Sequence, residues 1–194
     1  MRTQIVCHRG ACRHAPENTI ASGMAAARLG GDIVELDVRQ SRDGVLYVLH
    51  DATVDRTTNG TGPIAQMSST ELDQLDAGSW FDIAFSHEHL PRLDAFIAAL
   101  KDRVGFYIEV KTADADAVVA TIRAEGIEER CFSYSETAGM RDAMRDAAPW
   151  LKRMVNWHDL AAIPEAHQRG AAILEFHAAD FKPERVAEAR AEGL

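Results

Sequence analysis

Short runs of β-branched and aliphatic residues alternate with amphipathic stretches from one end of the chain to the other. The runs Gln4 to Cys7, Ile33 to Val38, Val45 to Leu49, Phe106 to Val110, Cys131 to Tyr134, Lys152 to Asn156 and Ala172 to Phe176 read as strands. Helical patterns lie between them. Asn18 to Arg28 is closed by Gly30-Gly31, Leu93 to Leu100 puts Leu93, Phe96, Ile97 and Leu100 on one stripe, and Asp116 to Glu125 is closed by Gly126. Further helices are predicted over Glu136 to Ala147, Leu160 to Gln168 and Pro183 to Glu192, where Pro183 suits a first helical position. This alternation means a parallel sheet, open or closed into a barrel.

One pair of strands departs from the rule. Only Gln40 to Gly44 separates the second run from the third, too short for a crossover between parallel strands. Asp43-Gly44 is a two-residue hairpin signal, and with Arg42 opposite Val45 the register sets Asp37 directly across from His50. From Ala52 to Pro91 the pattern is irregular, with a Thr57 to Pro63 loop and a short helix started by the capping box Ser68 to Glu71. Such a stretch is a functional loop or a small insertion. Leaving out the extra hairpin strand, six parallel strands and about six helices remain. A closed eight-stranded βα barrel needs about 250 residues. The expectation is therefore a single domain over residues 1–194 with a small insertion at 51–92, the last two βα units being absent.

Several polar residues sit at strand spacing inside the apolar runs. Glu35-Leu36-Asp37 and Glu109-Val110-Lys111 each place two polar side chains on one face, with His8-Arg9-Gly10 upstream and His50-Asp51 between. A single such carboxylate is as often a solvated residue or an ion-pair partner as a ligand. Two same-face pairs within apolar strands shift that balance, because burying unpaired charges is costly. Glu35, Asp37 and Glu109 offer oxygen ligands for one hard divalent cation, Mg²⁺ or Ca²⁺; zinc is disfavoured without Cys pairs or an HExxH motif. His8 and His50 are candidates for general base and general acid, in an order the sequence leaves open. Arg9 can hold a phosphate bidentately and Lys111 can act on it as a point charge. The remaining histidines, His14, His87, His89, His158, His167 and His177, are read as structural.

Composition narrows the setting. The 194 residues are 46% hydrophobic and 26% charged, ordinary for a globular domain. A net charge of −9 argues against nucleic acid as partner, so a phosphate must be held by local cations or a metal. Cys7, Cys12 and Cys131 form no CxxC pair, and reduced thiols are expected. The start, Met1 to His8, has no apolar leader, and no later run approaches about 18 apolar residues. A soluble, cytoplasmic protein without stable membrane insertion is expected; homo-oligomer formation is left open.

Taken in order, His8-Arg9-Gly10, Pro16-Glu17-Asn18-Thr19, Glu35-Leu36-Asp37-Val38, Asp43-Gly44, His50-Asp51, Arg56-Thr57-Thr58, Gly60, Gly62 and Glu109-Val110-Lys111 closely resemble the glycerophosphodiester phosphodiesterase family. Leu75 to Phe81 and Leu90 to Leu93 look like that family's insertion and its exit. The match is dense from His8 to Lys111 and thin afterwards, where Phe132-Ser133 only loosely resembles a family element and the final strands have no counterpart. The resemblance implies a TIM-type (β/α) barrel with an insertion after the first hairpin. It implies a divalent metal on Glu35, Asp37 and Glu109, catalytic His8 and His50, and a phosphate on Arg9 and Lys111. The implied substrate is a small phosphodiester such as glycerophosphocholine or glycerophosphoethanolamine, cleaved to glycerol 3-phosphate and an alcohol. Two alternatives accompany it: a lysophospholipid phosphodiesterase of the same barrel type, and a catalytically silent phosphodiester-binding module.

Overall fold

The computed structural model describes residues 3–194; Met1 and Arg2, where the leader reading begins, lie outside the described residues. The elements are β1 (Val6–Cys7), α1 (Ile20–Arg28), β2 (Ile33–Gln40), β3 (Leu46–Val48), α2 (Ser69–Leu72), α3 (Leu93–Leu100), β4 (Gly105–Thr112), α4 (Ala115–Glu125), β5 (Cys131–Tyr134), α5 (Ala138–Ala147), β6 (Met154–Asn156), α6 (Glu165–Gln168), β7 (Ile173–Glu175) and α7 (Pro183–Ala191). The parallel strands run in sequential order. β1, β2, β4 and β5 form one sheet, with β3 antiparallel on β2, and β6 pairs with β7. A parallel bridge between Ser133 and Arg153, with Ser133 N–H donating to the Lys152 carbonyl at 2.9 Å, carries the order from β5 to β6.

Sequential order alone fits an open sheet or a barrel, and the placement of the helices decides between them. Val34, Leu36 and Val38 of β2 and Phe106, Ile108 and Val110 of β4 are all at 0% exposure. They share one apolar cluster with side chains of α1, α3, α4 and α5, among them Ala26, Phe96, Leu100, Ile122 and Met144. The helices therefore cover one face, as in a βα barrel; a doubly wound sheet would divide them between two. Period-2 alternation turns Glu35, Asp37, Tyr107, Glu109 and Lys111 to the opposite, inner face. Each large apolar side chain buried outside contributes roughly 1.5–3 kcal/mol, which lets the strands carry charge inside.

The hairpin differs from the expected one. Val38 pairs with Val48, Arg39 with Tyr47 and Gln40 with Leu46. The Leu49 N–H donates to the Asp37 carbonyl at 3.0 Å, so Asp37 faces Leu49 and not His50. The cause is a three-residue loop, Arg42-Asp43-Gly44, closed by the Ser41 N–H on the Val45 carbonyl at 2.9 Å, with Gly44 at φ 88°. Asp43 serves a different purpose from that of a turn residue. Its carboxylate accepts from Ser41 Oγ at 2.7 Å and from Ser69 N at 2.9 Å, tying the loop to the start of α2.

Other elements follow the expected pattern with shifted ends. Thr19, Asp114 and Thr137 cap α1, α4 and α5, and the capping box Ser68 to Glu71 starts α2. The helix expected over Leu160 to Gln168 shortens to α6, because Pro164 disfavours helix at Ile163 and occupies the cap position itself. Between β3 and α3, a second apolar cluster gathers Tyr47, Leu49, Val54, Ile64, Leu72, Ala77 and Leu90. Asp73 fastens it, accepting from Tyr47 Oη at 2.7 Å and Arg92 Nε at 3.0 Å. Among the described residues, no helix is long and apolar enough to cross a membrane.

Because Gly44 holds a left-handed backbone with only the Gln40 amide nearby, at 3.8 Å from a built Cβ, the cost of a side chain there is conformational. Gly44→Ala is expected to lower stability by about 1–2 kcal/mol and Gly44→Asn by less, read from urea unfolding midpoints. Equal midpoints for the three proteins would contradict the three-residue turn.

Candidate active site

The site grows from the pairing of β2 with β4. In register, Glu35 lies beside Tyr107 and Asp37 beside Glu109, so alternate inner positions stack carboxylates next to one another. One oxygen each from Glu35, Asp37 and Glu109 fall within 4.8 Å of one another. Glu35 is 2% exposed and Asp37 0%. Glu35 Oε1 and Asp37 Oδ1 are buried with no hydrogen-bond partner. Donorless buried oxygens converging on one point are the geometry a hard cation needs.

Basic groups close in around them. The Lys111 ammonium donates to Glu109 Oε1 at 2.5 Å and stands 3.4 Å from Asp37 Oδ1. Arg9 donates its backbone N–H to Glu35 Oε2 at 2.7 Å, while its Nε lies 3.4 Å from Asp37 Oδ2. His8 Nε2 is 3.9 Å from Glu35 Oε2, and its ring is largely exposed. The loop after β1 therefore delivers His8 and Arg9 to the carboxylates together.

That loop is held in an unusual backbone conformation. Arg9 and Asn18 are the two non-glycine residues with positive φ among those described, at 55° and 57°. The Arg9 carbonyl accepts from the Asn18 N–H at 3.1 Å and from Ser22 Oγ at 3.0 Å, which folds the loop back on α1. Gly10 permits this approach, since a Cβ there would meet Ser22 Oγ at 2.5 Å. The buried Asn18 side chain then donates to Asp37 Oδ2 at 2.8 Å, turning the other Asp37 oxygen toward the cluster.

His50 stands apart from this direct contact set. It follows β3, its carbonyl accepts from Arg39 Nε at 2.8 Å, and its Nδ1 is 2.7 Å from Asp51 Oδ1. The link to the rest runs through side chains. Arg56 holds Asp51 at 2.7 Å and Glu17 at 2.8 Å, and Glu17 accepts from Arg9 at 3.0 Å. The hydrogen bonds of Arg56 hold the Asp51 carboxyl well below the usual range against the opposing effect of burial. For Glu17, burial opposes ionisation, and Arg56 and then Arg9 outweigh it, so that carboxyl too is lowered.

Of the residues singled out in the sequence, six form one connected cluster around the carboxylates: His8, Arg9, Glu35, Asp37, Glu109 and Lys111. Asn18, Arg39 and the Glu17–Arg56–Asp51 bridge were given no role there. For Arg39 the signal was present, as Glu35, Asp37 and Arg39 continue one alternating face. Asn18 precedes the Thr19 cap and reads as ordinary helix-start polarity.

Comparison with known proteins adds a lineage. The family model described as "Glycerophosphoryl diester phosphodiesterase family" matches residues 8–162. A glycerophosphodiester phosphodiesterase from Caldanaerobacter subterraneus subsp. tengcongensis is 37% identical over 160 residues, 78% of this chain and 65% of its own length. Across the similar curated relatives the chain spans less than two thirds of their length. A crystal structure of a glycerophosphodiester phosphodiesterase from Agrobacterium tumefaciens superposes with TM-score 0.97 at 44% identity, over 100% of this chain and 84% of that one. An Oleispira antarctica phosphodiesterase, solved with the product sn-glycerol-3-phosphate, gives TM-score 0.88 at 29% identity, over 98% and 81%.

Burial, then the neighbouring Asp37 carboxylate, push Glu35 far above the usual carboxylate range. Glu35 thus binds its proton more tightly folded than unfolded, and without a divalent cation the protein loses stability as pH rises from the usual carboxylate range through neutrality. Glu35→Gln removes that slope. Thermal midpoints in chelator at pH 6 and pH 8.5 should fall for the parent and stay level for the variant; parallel falls would sink this account.

Proposed function

The chain belongs to the glycerophosphoryl diester phosphodiesterase family, and from that premise we propose that it hydrolyses glycerophosphodiesters, such as glycerophosphocholine or glycerophosphoethanolamine, to glycerol 3-phosphate and an alcohol. The observation that carries this reading is the trio of buried Glu35 and Asp37 with partly buried Glu109, within 4.8 Å at one oxygen each and flanked by Arg9 and Lys111. Three carboxylates against two fixed cations leave an acidic site that still presents donors for a phosphate. That combination fits an anionic diester brought in with a metal.

Glu35, Asp37 and Glu109 would hold one divalent cation, Mg²⁺ or Ca²⁺, which when bound supplies positive charge at the phosphate and acidifies an attacking hydroxyl. Two buried oxygens that accept no hydrogen bond, Glu35 Oε1 and Asp37 Oδ1, fit that role. Arg9 offers a planar fork for two phosphate oxygens, and Lys111 a point charge beside them. His8 and His50 would divide the proton transfers, one taking the proton of the substrate's attacking glycerol 2-hydroxyl and the other protonating the departing alcohol, and in a second half-reaction water would open the resulting cyclic phosphate to release glycerol 3-phosphate. For His50 the reacting atom is Nε2, because Nδ1 is engaged by Asp51.

Trp80 and Ile83, between β3 and α3, are 41% and 77% exposed, an observation that favours the second reading, a lysophospholipid phosphodiesterase using these apolar groups against an acyl chain. Turnover of lysophosphatidylcholine well above that of glycerophosphocholine would select it.

The deciding measurement is release of sn-glycerol 3-phosphate from glycerophosphocholine and glycerophosphoethanolamine with Mg²⁺, with Ca²⁺ and with excess chelator. Product with at least one cation and none in chelator is expected; no product with either cation would overturn the proposal. His8→Ala and His50→Ala should each lower turnover by roughly 10²- to 10⁴-fold while cation binding by calorimetry stays nearly intact. Turnover like the parent's in either variant would remove that histidine from the mechanism.

A further inference from the structure

We propose that Arg56 is a positioning residue that couples the two halves of the site, fixing which nitrogen of His50 carries the proton through Asp51 and the direction of the Arg9 guanidinium through Glu17. The inference rests on reading the site as a phosphodiesterase centre. Its basis is the way one planar cation grips two carboxylates at once.

Arg56 donates from Nε to Asp51 Oδ2 at 2.7 Å and from its NH2 group to Asp51 Oδ1 at 3.2 Å. It also donates from NH2 to Glu17 Oε1 at 2.8 Å and from NH1 to Glu17 Oε2 at 3.0 Å. Two forks on one guanidinium leave neither carboxylate free to rotate. Ionised Asp51 can only accept, so its 2.7 Å contact with His50 Nδ1 places the proton on Nδ1 and leaves Nε2 with a lone pair for chemistry.

The other fork acts on the phosphate side. Glu17 Oε1, already held by Arg56, accepts from Arg9 NH1 at 3.0 Å, while Arg9 Nε faces Asp37 at 3.4 Å. Arg9 and Glu17 side chains are 18% and 14% exposed, so water competes weakly with this grip. Without Arg56, Glu17 would be free to turn fully onto Arg9 and take donors meant for a phosphate, and Asp51 would be free to leave Nδ1. A lysine at 56 carries the charge but cannot form two forks.

The test uses the full chain with the supporting divalent cation and glycerophosphocholine, and compares the parent with Asp51→Asn, Glu17→Gln, Arg56→Met and Arg56→Lys. Long-range proton–nitrogen spectra of the His50 ring, assigned by their loss in His50→Ala, report the tautomer whether or not turnover is seen. The parent should show His50 protonated on Nδ1, and Asp51→Asn and Arg56→Met should move population to Nε2–H. Asp51→Asn should lower kcat about 10- to 100-fold with KM nearly unchanged, Glu17→Gln should chiefly raise KM, and Arg56→Met should do both. Arg56→Lys should regain thermal stability without regaining kcat. An unchanged His50 tautomer in Arg56→Met, or full rescue of kcat by lysine, would overturn the proposal. A parent that turns over no glycerophosphodiester would defeat the functional reading instead, with the tautomer measurement still deciding the role of Arg56.

Discussion

The side-by-side placement of Asp37 and Glu109 on adjacent parallel strands is the constraint to which the rest of the site answers. Two carboxylates in register, with Glu35 one layer below, repel one another in a region where water cannot screen them. The backbone cannot relieve this, because a shift of either strand by one residue would turn its apolar set off the helices. Relief has to come from side chains. Lys111 meets Glu109 and Asp37 Oδ1, Arg9 meets Glu35 and Asp37 Oδ2, and the Asn18 amide donates to that same Asp37 Oδ2. The residues around the trio are thus selected by charge compensation.

That compensation explains why the loop after β1 is strained. Arg9 must offer its backbone N–H to Glu35 and its guanidinium to Asp37 and Glu17 at once. A residue in ordinary extended conformation could not aim both, and φ 55° at Arg9 and 57° at Asn18 are the result. Each costs on the order of 1 kcal/mol or more, which α1 and its Ser22 contacts offset. Burial of the apolar faces of β2 and β4 supplies the margin.

Much of this was legible in the residue order. Alternation in Glu35-Leu36-Asp37 and Glu109-Val110-Lys111 identified the inner face, and the caps and glycines located most helices within two residues or so. What could not be read was pairing that depends on loop geometry. Arg42-Asp43-Gly44 closes as three residues because the Asp43 carboxylate is drawn to Ser41 and Ser69, a contact 26 residues away in sequence. The expected register was therefore one residue out, and His50 joined the site through Asp51 and Arg56 instead of through Asp37. The role of Asn18 is not legible in the sequence for a similar reason, since the folded-back loop from Arg9 to Asn18 is what aims its amide at Asp37.

The two apolar clusters carry a last consequence. His8, Arg9 and the carboxylates are mounted on the large cluster between sheet and helices, whereas His50, Asp51 and Arg56 sit on or beside the smaller cluster around Tyr47, Val54 and Leu72. Separate cores can open with separate free energies. A transient opening of the smaller core would withdraw one histidine and leave the carboxylates assembled. The two histidines thus rest on different apolar clusters of a single chain, and their relative placement holds only while both clusters are closed.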